Sequence, residues 1–344
     1  MKRTLLASGS LLLLVLSVEG CYYAQAIRGH SELMNRRRPV AEVIADAGSS
    51  EALKEKLSLV LEARDFAVSE LLLPDNDSYR SYADLDRDYV VWNVFAAPEF
   101  SLEPRTWCYP VAGCVAYRGY FNEESARKSA EKLRGQGYDV AVGGVAAYST
   151  LGRFADPLLN TMMRWSEVDL VMTMFHELAH QKLYVKGDSA FNESFATAVA
   201  DIGVERWLEK TGEPDRLDTL TRRRALRHRI LERVENTKVA LAKLYAADIE
   251  LQSRRAQKRE LLDDLSASAQ QLIDEDGGEV GNWLAAPLNN ARLVSTSLYE
   301  GQVAAFRSIL EDCDADIACF YRRTADIAKL SDADRATVLA ATGD

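Results

Sequence analysis

One seven-residue stretch limits the architecture of this chain more than any other: Phe175-His176-Glu177-Leu178-Ala179-His180-Gln181. The residues before it, Ser166 to Met174, carry helical apolar spacing and place the motif on a helix. Residues four apart share a helix face, so His176 and His180 present two imidazoles side by side, as two ligands of one Zn2+ ion must be. Glu177 stands one step round, within reach of a water on such an ion, and a carboxylate there takes its proton. A third donor has to come from elsewhere. Phe191-Asn192-Glu193-Ser194-Phe195-Ala196 reads as the start of a second helix. Packed antiparallel on the first, it supplies a carboxylate that completes a His, His, Glu set with the fourth position open. The competing reading is two surface histidines on an ordinary amphipathic helix. With only four histidines in the chain, the spacing, the helical context and the downstream Asn-Glu favour the metal.

The N-terminus reads as a targeting segment. Lys2 and Arg3 precede an apolar run from Leu5 to Val18 that is too short to span a membrane. It leads into Leu16-Ser17-Val18-Glu19-Gly20-Cys21, which resembles a bacterial lipoprotein signal with Cys21 lipidated, although Glu19 departs from that pattern. An ordinary secretory signal is the alternative. Both imply export, and the first implies a lipid anchor in a bacterial envelope membrane, with the protein facing the periplasm. Export to an oxidising compartment makes two local disulfides the expectation for the equally spaced pairs Cys108 with Cys114 and Cys313 with Cys319. A zinc knuckle has tighter spacing. The net charge of −10 argues against a nucleic-acid partner.

Along the chain, Tyr22 to Pro39 reads as a solvated linker ending in a basic run, Arg36 to Arg38. Glu51 to Leu73 is helical, with Arg64 interrupting the apolar stripe and expected to lay its stem along it with the charge in water. Strands follow at Asp88–Phe95, Cys108–Val111, Tyr117–Phe121 and Asp139–Tyr148, with a helix capped by Asn122 between the last two. Beyond the second metal helix, Asp218 to Asp274 is charged, free of Gly and Pro, and reads as a hairpin of two long helices. A last helical region runs from Leu288 to about Leu330. The expected fold is α+β and predominantly helical, a small mixed sheet packed on a zincin-like active-site helix pair and followed by a long helical region. The expected divisions are a signal peptide (1–20), an anchor and linker (21–49), an α/β catalytic region (50–212) and a helical region (213–344).

Several stretches together resemble a bacterial family of predicted aminopeptidases, zinc lipoproteins of the gluzincin type. They are Cys21-Tyr22-Tyr23, Trp107 to Cys114, Tyr117-Arg118-Gly119-Tyr120-Phe121, Ala147 to Gly152, His176 to Gln181 and Phe191 to Ala196. The resemblance implies His176, His180 and Glu193 as zinc ligands, Glu177 as general base and a peptide substrate. Many gluzincin aminopeptidases carry an amine-binding acid on the strand before the zinc helix, and Gly143 to Tyr148 has none. The expected reaction is hydrolysis of a peptide bond. The strand ending at Tyr148 is expected to bind an extended peptide, with Gly143 and Gly144 allowing close approach, and these glycines equally read as a bulge or turn. Tyr148, Tyr184 and Tyr299 are the candidate oxyanion donors, with Tyr299 placed in the helical half where gluzincins often carry one. Asp169, Asp201 and Glu205 are candidates to orient the imidazoles. Two rival readings remain open at this level: a zinc hydrolase of another envelope amide, and a non-catalytic scaffold lipoprotein.

Overall fold

The structure, a computed structural model, describes residues 22–109, 113–277, 284, 286–297 and 302–342. Cys21 and Tyr299 lie outside the described residues. The chain is predominantly helical, with three small sheets in its N-terminal half in place of the single sheet expected.

Residues 22–35 form a helix, α1, where a solvated linker was expected. It packs because Gly29 has no side chain: a Cβ there would stand 2.1 Å from the Phe121 ring. Gln25 Oε1 also accepts the Phe121 N–H at 3.1 Å, and Leu33 is fully buried. The basic run continues into β1 (Arg37–Pro39), where Arg37 donates to the carbonyls of Met34 and Ala155. A short helix α2 (Val40–Ala45) leads to α3 (Glu51–Ser69), whose first turn is capped by Ser50 accepting from Leu53 N–H. Such a cap is worth about 1 kcal/mol. Arg64 of α3 departs from expectation. It is fully buried, and its guanidinium donates to the carbonyls of Pro74 (2.7 Å), Asn76 (3.0 Å) and Ser78 (3.2 Å). The loop folds back over the helix and supplies the acceptors that solvent would have given.

β2 (Ser81–Ala83) pairs antiparallel with β1 and parallel with β8 (Leu158–Leu159), giving a small mixed sheet. A second sheet has β3 (Val91–Pro98) at its centre, with β6 (Tyr117–Tyr120) and β7 (Tyr138–Val145) antiparallel on either side. Period-two alternation sorts its side chains. Val94, Ala96, Val140 and Tyr120 pack against Ala126, Ala130 and Leu133 of α4 (Glu123–Arg134), which Asn122 caps. The other face carries Val91, Asn93, Tyr117 and Val145. β4 (Trp107–Tyr109) and β5 (Gly113–Val115) form a separate two-stranded ribbon, tied by the Cys108–Cys114 disulfide.

The main core lies under α3 and the central pair, α5 (Glu167–Lys182) and α6 (Ser189–Thr211). Ser166 caps α5 and Asp188 caps α6. Contacts between the two helices run His180 to Glu193, His176 to Glu193 and Gly203 to Phe175, with sequence separation growing away from the turn, so they are antiparallel. Gly203 permits the close approach, since a Cβ there would meet the Phe175 ring at 2.7 Å. Gly212, in the left-handed region, ends α6. α7 (Pro214–Ala246) and α8 (Leu251–Asp276) form the expected hairpin, with a separate core of Leu226, Ile230, Val234, Leu262 and Leu265. The turn end of the hairpin is tied to the central sheet through Lys258, which donates to Asp139 Oδ2 at 2.7 Å. α9 (Asn290–Ser297), α10 (Val303–Glu311), α11 (Ile317–Ala328) and α12 (Asp332–Thr342) close the chain, with a second disulfide between Cys313 and Cys319.

Candidate metal centre and cleft

The local sequence fixes where the three donor side chains meet. On α5 the four-residue spacing aligns His176 and His180. The turn between the helices is held by Asn192, whose side chain accepts from Val185 N–H and donates to Val185 C=O, both at 2.7 Å. That clamp sets the register of the first turn of α6, and the next residue is Glu193. Nε2 of His176 lies 3.1 Å from Nε2 of His180, and Glu193 Oε2 lies 3.2 Å from the first and 3.6 Å from the second. Zinc–ligand bonds of about 2.0–2.1 Å at a tetrahedral angle separate donor atoms by about 3.3 Å. The three observed edges bracket that figure. The donor chemistry, two imidazoles and one carboxylate, also fits zinc. His176, His180 and Glu193 form the one cluster of His, Cys, Asp or Glu side chains among the described residues with donors this close together.

The electrostatics are those of a buried anion gripped by two imidazoles. Burial works to raise the Glu193 carboxyl, and hydrogen bonds from His176 and His180 outweigh it, holding the group well below the usual carboxylate range. Burial works to lower His180, and Glu193 outweighs that in turn.

The centre opens into a cleft of about 360 Å³ that Glu177 also lines. Its walls come from α1 (Tyr22, Ala26), the open face of the central sheet, the β4–β5 ribbon and the loop after β7. Another cavity, of about 400 Å³, lies at the far end of α5 beside Lys56, Trp165 and Arg216, and is lined by none of the three donor residues.

Both described tyrosines among the expected donors, Tyr148 and Tyr184, line the cleft. Tyr148 lines the cleft, but its hydroxyl lies 3.4 Å from His30 Nδ1 of α1. Tyr184 lines the cleft with its ring 6.3 Å from that of His180. Tyr117, absent from the expected donors, lines it from the sheet. Burial raises the Tyr117 phenol, and the charges of Glu193 and Glu177 push it further up, so it stays a proton donor. Its signal in the sequence was the alternation Tyr117, Gly119, Phe121, which puts all three on one strand face.

Of the two glycines expected to admit substrate, Gly144 is filled from within, because a Cβ there would stand 2.4 Å from the Tyr89 ring. Gly143 is open, with nothing within 4 Å. The three acids proposed to orient the imidazoles bind arginines. Asp169 pairs with Arg223 at 2.9 Å and Asp201 with Arg224 at 2.8 Å, and Glu205 pairs with both Arg224 and Arg307. α7 and α10 supply these cations, a long-range approach to α5 and α6 that no local pattern announces. Gln181, next to His180, is instead fixed by the loop that Arg64 holds: its side chain accepts from Asn76 Nδ2 at 2.8 Å and donates to Ser78 Oγ at 3.3 Å.

The model of a protein family described as "Putative aminopeptidase" matches residues 21–339, and the chain belongs to that family. Neither a curated protein nor a solved structure matches the chain.

Proposed function

We propose that this chain is a zinc-dependent peptidase, an aminopeptidase in the sense of its family's description, built on a zincin-like helix pair. The observation that carries the reading is the donor triangle of His176, His180 and Glu193, with edges of 3.1, 3.2 and 3.6 Å, opening into the same cleft as Glu177.

His176, His180 and Glu193 would hold the ion. Zinc bound there supplies Lewis acidity to the scissile carbonyl and makes a water molecule more acidic. Glu177 accepts the proton of the attacking water and passes it to the leaving nitrogen, so one carboxylate serves as base and then as acid. Tyr117 and Tyr184 offer phenol donors to the oxygen on which negative charge develops. The cleft walls position the peptide and screen the site from bulk water. The reading includes export behind residues 1–20 and a lipid on Cys21 that faces the protein to the periplasm. It is supported by the basic and apolar segment from Lys2 to Val18 and by the Gly20-Cys21 pair that follows it.

The test is turnover of a peptide library with metal analysis on the same samples. Glu177→Gln should keep its zinc and lose at least ~100-fold in turnover. Full activity in that variant would defeat the mechanism.

A further inference from the structure

One wall of the cleft is the open face of the β6-β3-β7 sheet. In its register Asn93 stands directly between Gly119 of β6 and Gly143 of β7. Cross-strand partners point their side chains to the same face. A row across three strands therefore reads Gly, Asn, Gly, and it carries a single side chain.

Asn93 is only 8% exposed and lines the cleft. Among the described residues its carboxamide has no hydrogen-bond partner. Buried polar side chains are almost always paired with protein or with water, so an amide with no protein partner in a cleft wall is free to exchange solvent for a ligand. Gly143 adds a second, independent reason. Glycine weakens a strand interior and is kept there for a bulge, a tight bend or the close approach of another backbone. A Cβ on Gly119 would come 3.0 Å from Val91 Cγ1 and 3.2 Å from Asn93 Oδ1, so packing within the sheet already accounts for that glycine, which also leaves the amide uncrowded. At Gly143 nothing within 4 Å requires the missing side chain, so internal packing does not account for it. Together the two glycines make a trough without side chains around one amide, in which Gly119 and Asn93 line the cleft and Gly143 carries the row onto exposed surface.

A carboxamide offers one acceptor and a donor pair, the complement of a peptide unit. This chain already uses that match, for Asn192 takes both the N–H and the C=O of Val185. From this we infer that Asn93 binds a peptide unit of the substrate backbone, laid in the trough over Gly119 and Gly143. The peptide nature of the ligand rests on the peptidase reading. Because Asn93 engages backbone, it contributes affinity without selecting substrate side chains.

Two variants test this. Asn93→Leu keeps the volume and removes both polar groups. Gly143→Val fills open space with a residue that suits a strand, so its fold does not depend on repacking. Binding of a fluorescein-labelled mixture of random octapeptides is read by anisotropy on the zinc-loaded full chain carrying Glu177→Gln, beside KM and kcat with Glu177 restored. Both variants should keep zinc content and melting temperature, raise Kd and KM at least tenfold for the mixture as a whole, and leave kcat within threefold. If Asn93→Leu does not fold, Gly143→Val decides. Kd and KM within twofold of the parent overturn the inference while leaving the peptidase standing. Peptide bound in the trough but never cut sinks the hydrolase and supports the inference. No peptide bound at all removes both.

Discussion

Asp156 makes stability fall as pH rises. It is fully buried, and both carboxyl oxygens accept from Thr150, one from its N–H and one from its hydroxyl, each at 2.8 Å. Burial raises its pKa from 3.8 to about 6, opposed by the Thr150 bonds and reinforced by the nearby charge of Glu177. Between these two values the folded chain keeps a proton that the unfolded chain has released. Stability therefore declines as pH rises through the window, and the loss is complete above it. At ~1.4 kcal/mol per pH unit, the difference is about 3 kcal/mol. Asp156→Asn removes the titration and keeps both contacts, because the Thr150 hydroxyl can accept from the new amide as readily as it donated to the carboxylate. Urea unfolding of both proteins from pH 3.5 to 7.5 should give curves that converge in acid and diverge towards neutrality, with the variant the more stable by about 3 kcal/mol at pH 7.5. Profiles that stay parallel within about 0.5 kcal/mol would refute the reasoning. The residue matters to the cleft because Thr150 belongs to the segment whose Tyr148, Ser149 and Leu151 line it.

Two further outcomes are expected. Tyr117→Phe removes a phenol that faces the centre, and should lower kcat about 10- to 100-fold with KM nearly unchanged and zinc retained; an unchanged kcat assigns the donor role elsewhere. Arg64→Met strands the carbonyls of Pro74, Asn76 and Ser78, and at roughly 1–2 kcal/mol each should cost about 3–6 kcal/mol in urea unfolding; a cost below about 1 kcal/mol shows that those carbonyls find water.

The sequence exposed what repeats or caps. The four-residue histidine spacing, the Asn122 cap and the long hairpin all follow local rules, and each has its place in the structure. The equal spacing of the two cysteine pairs similarly anticipated both disulfides. What remained hidden depends on contacts between distant segments. β1, β2 and β8 have three residues or fewer, too short for a period, so the split into three sheets left no trace. Arg64 occupies a stripe position where a snorkelling arginine and a buried one look alike until the loop at 74–78 closes over it. α1 packs on the strength of one glycine meeting one phenylalanine far along the chain. Asn93 is one polar residue in an apolar run, and its meaning appears only when Gly119 and Gly143 are seen beside it in the register.

The most direct measurement is metal content per chain, by elemental analysis of purified protein after exhaustive dialysis, for the wild type and for His176→Ala, His180→Ala, Glu193→Ala and Glu177→Gln. The donor triangle predicts one zinc per chain in the wild type and in Glu177→Gln, and much less than one in each of the other three. Zinc that survives loss of any one of His176, His180 or Glu193 at full stoichiometry, or a wild type that holds none, would contradict the account.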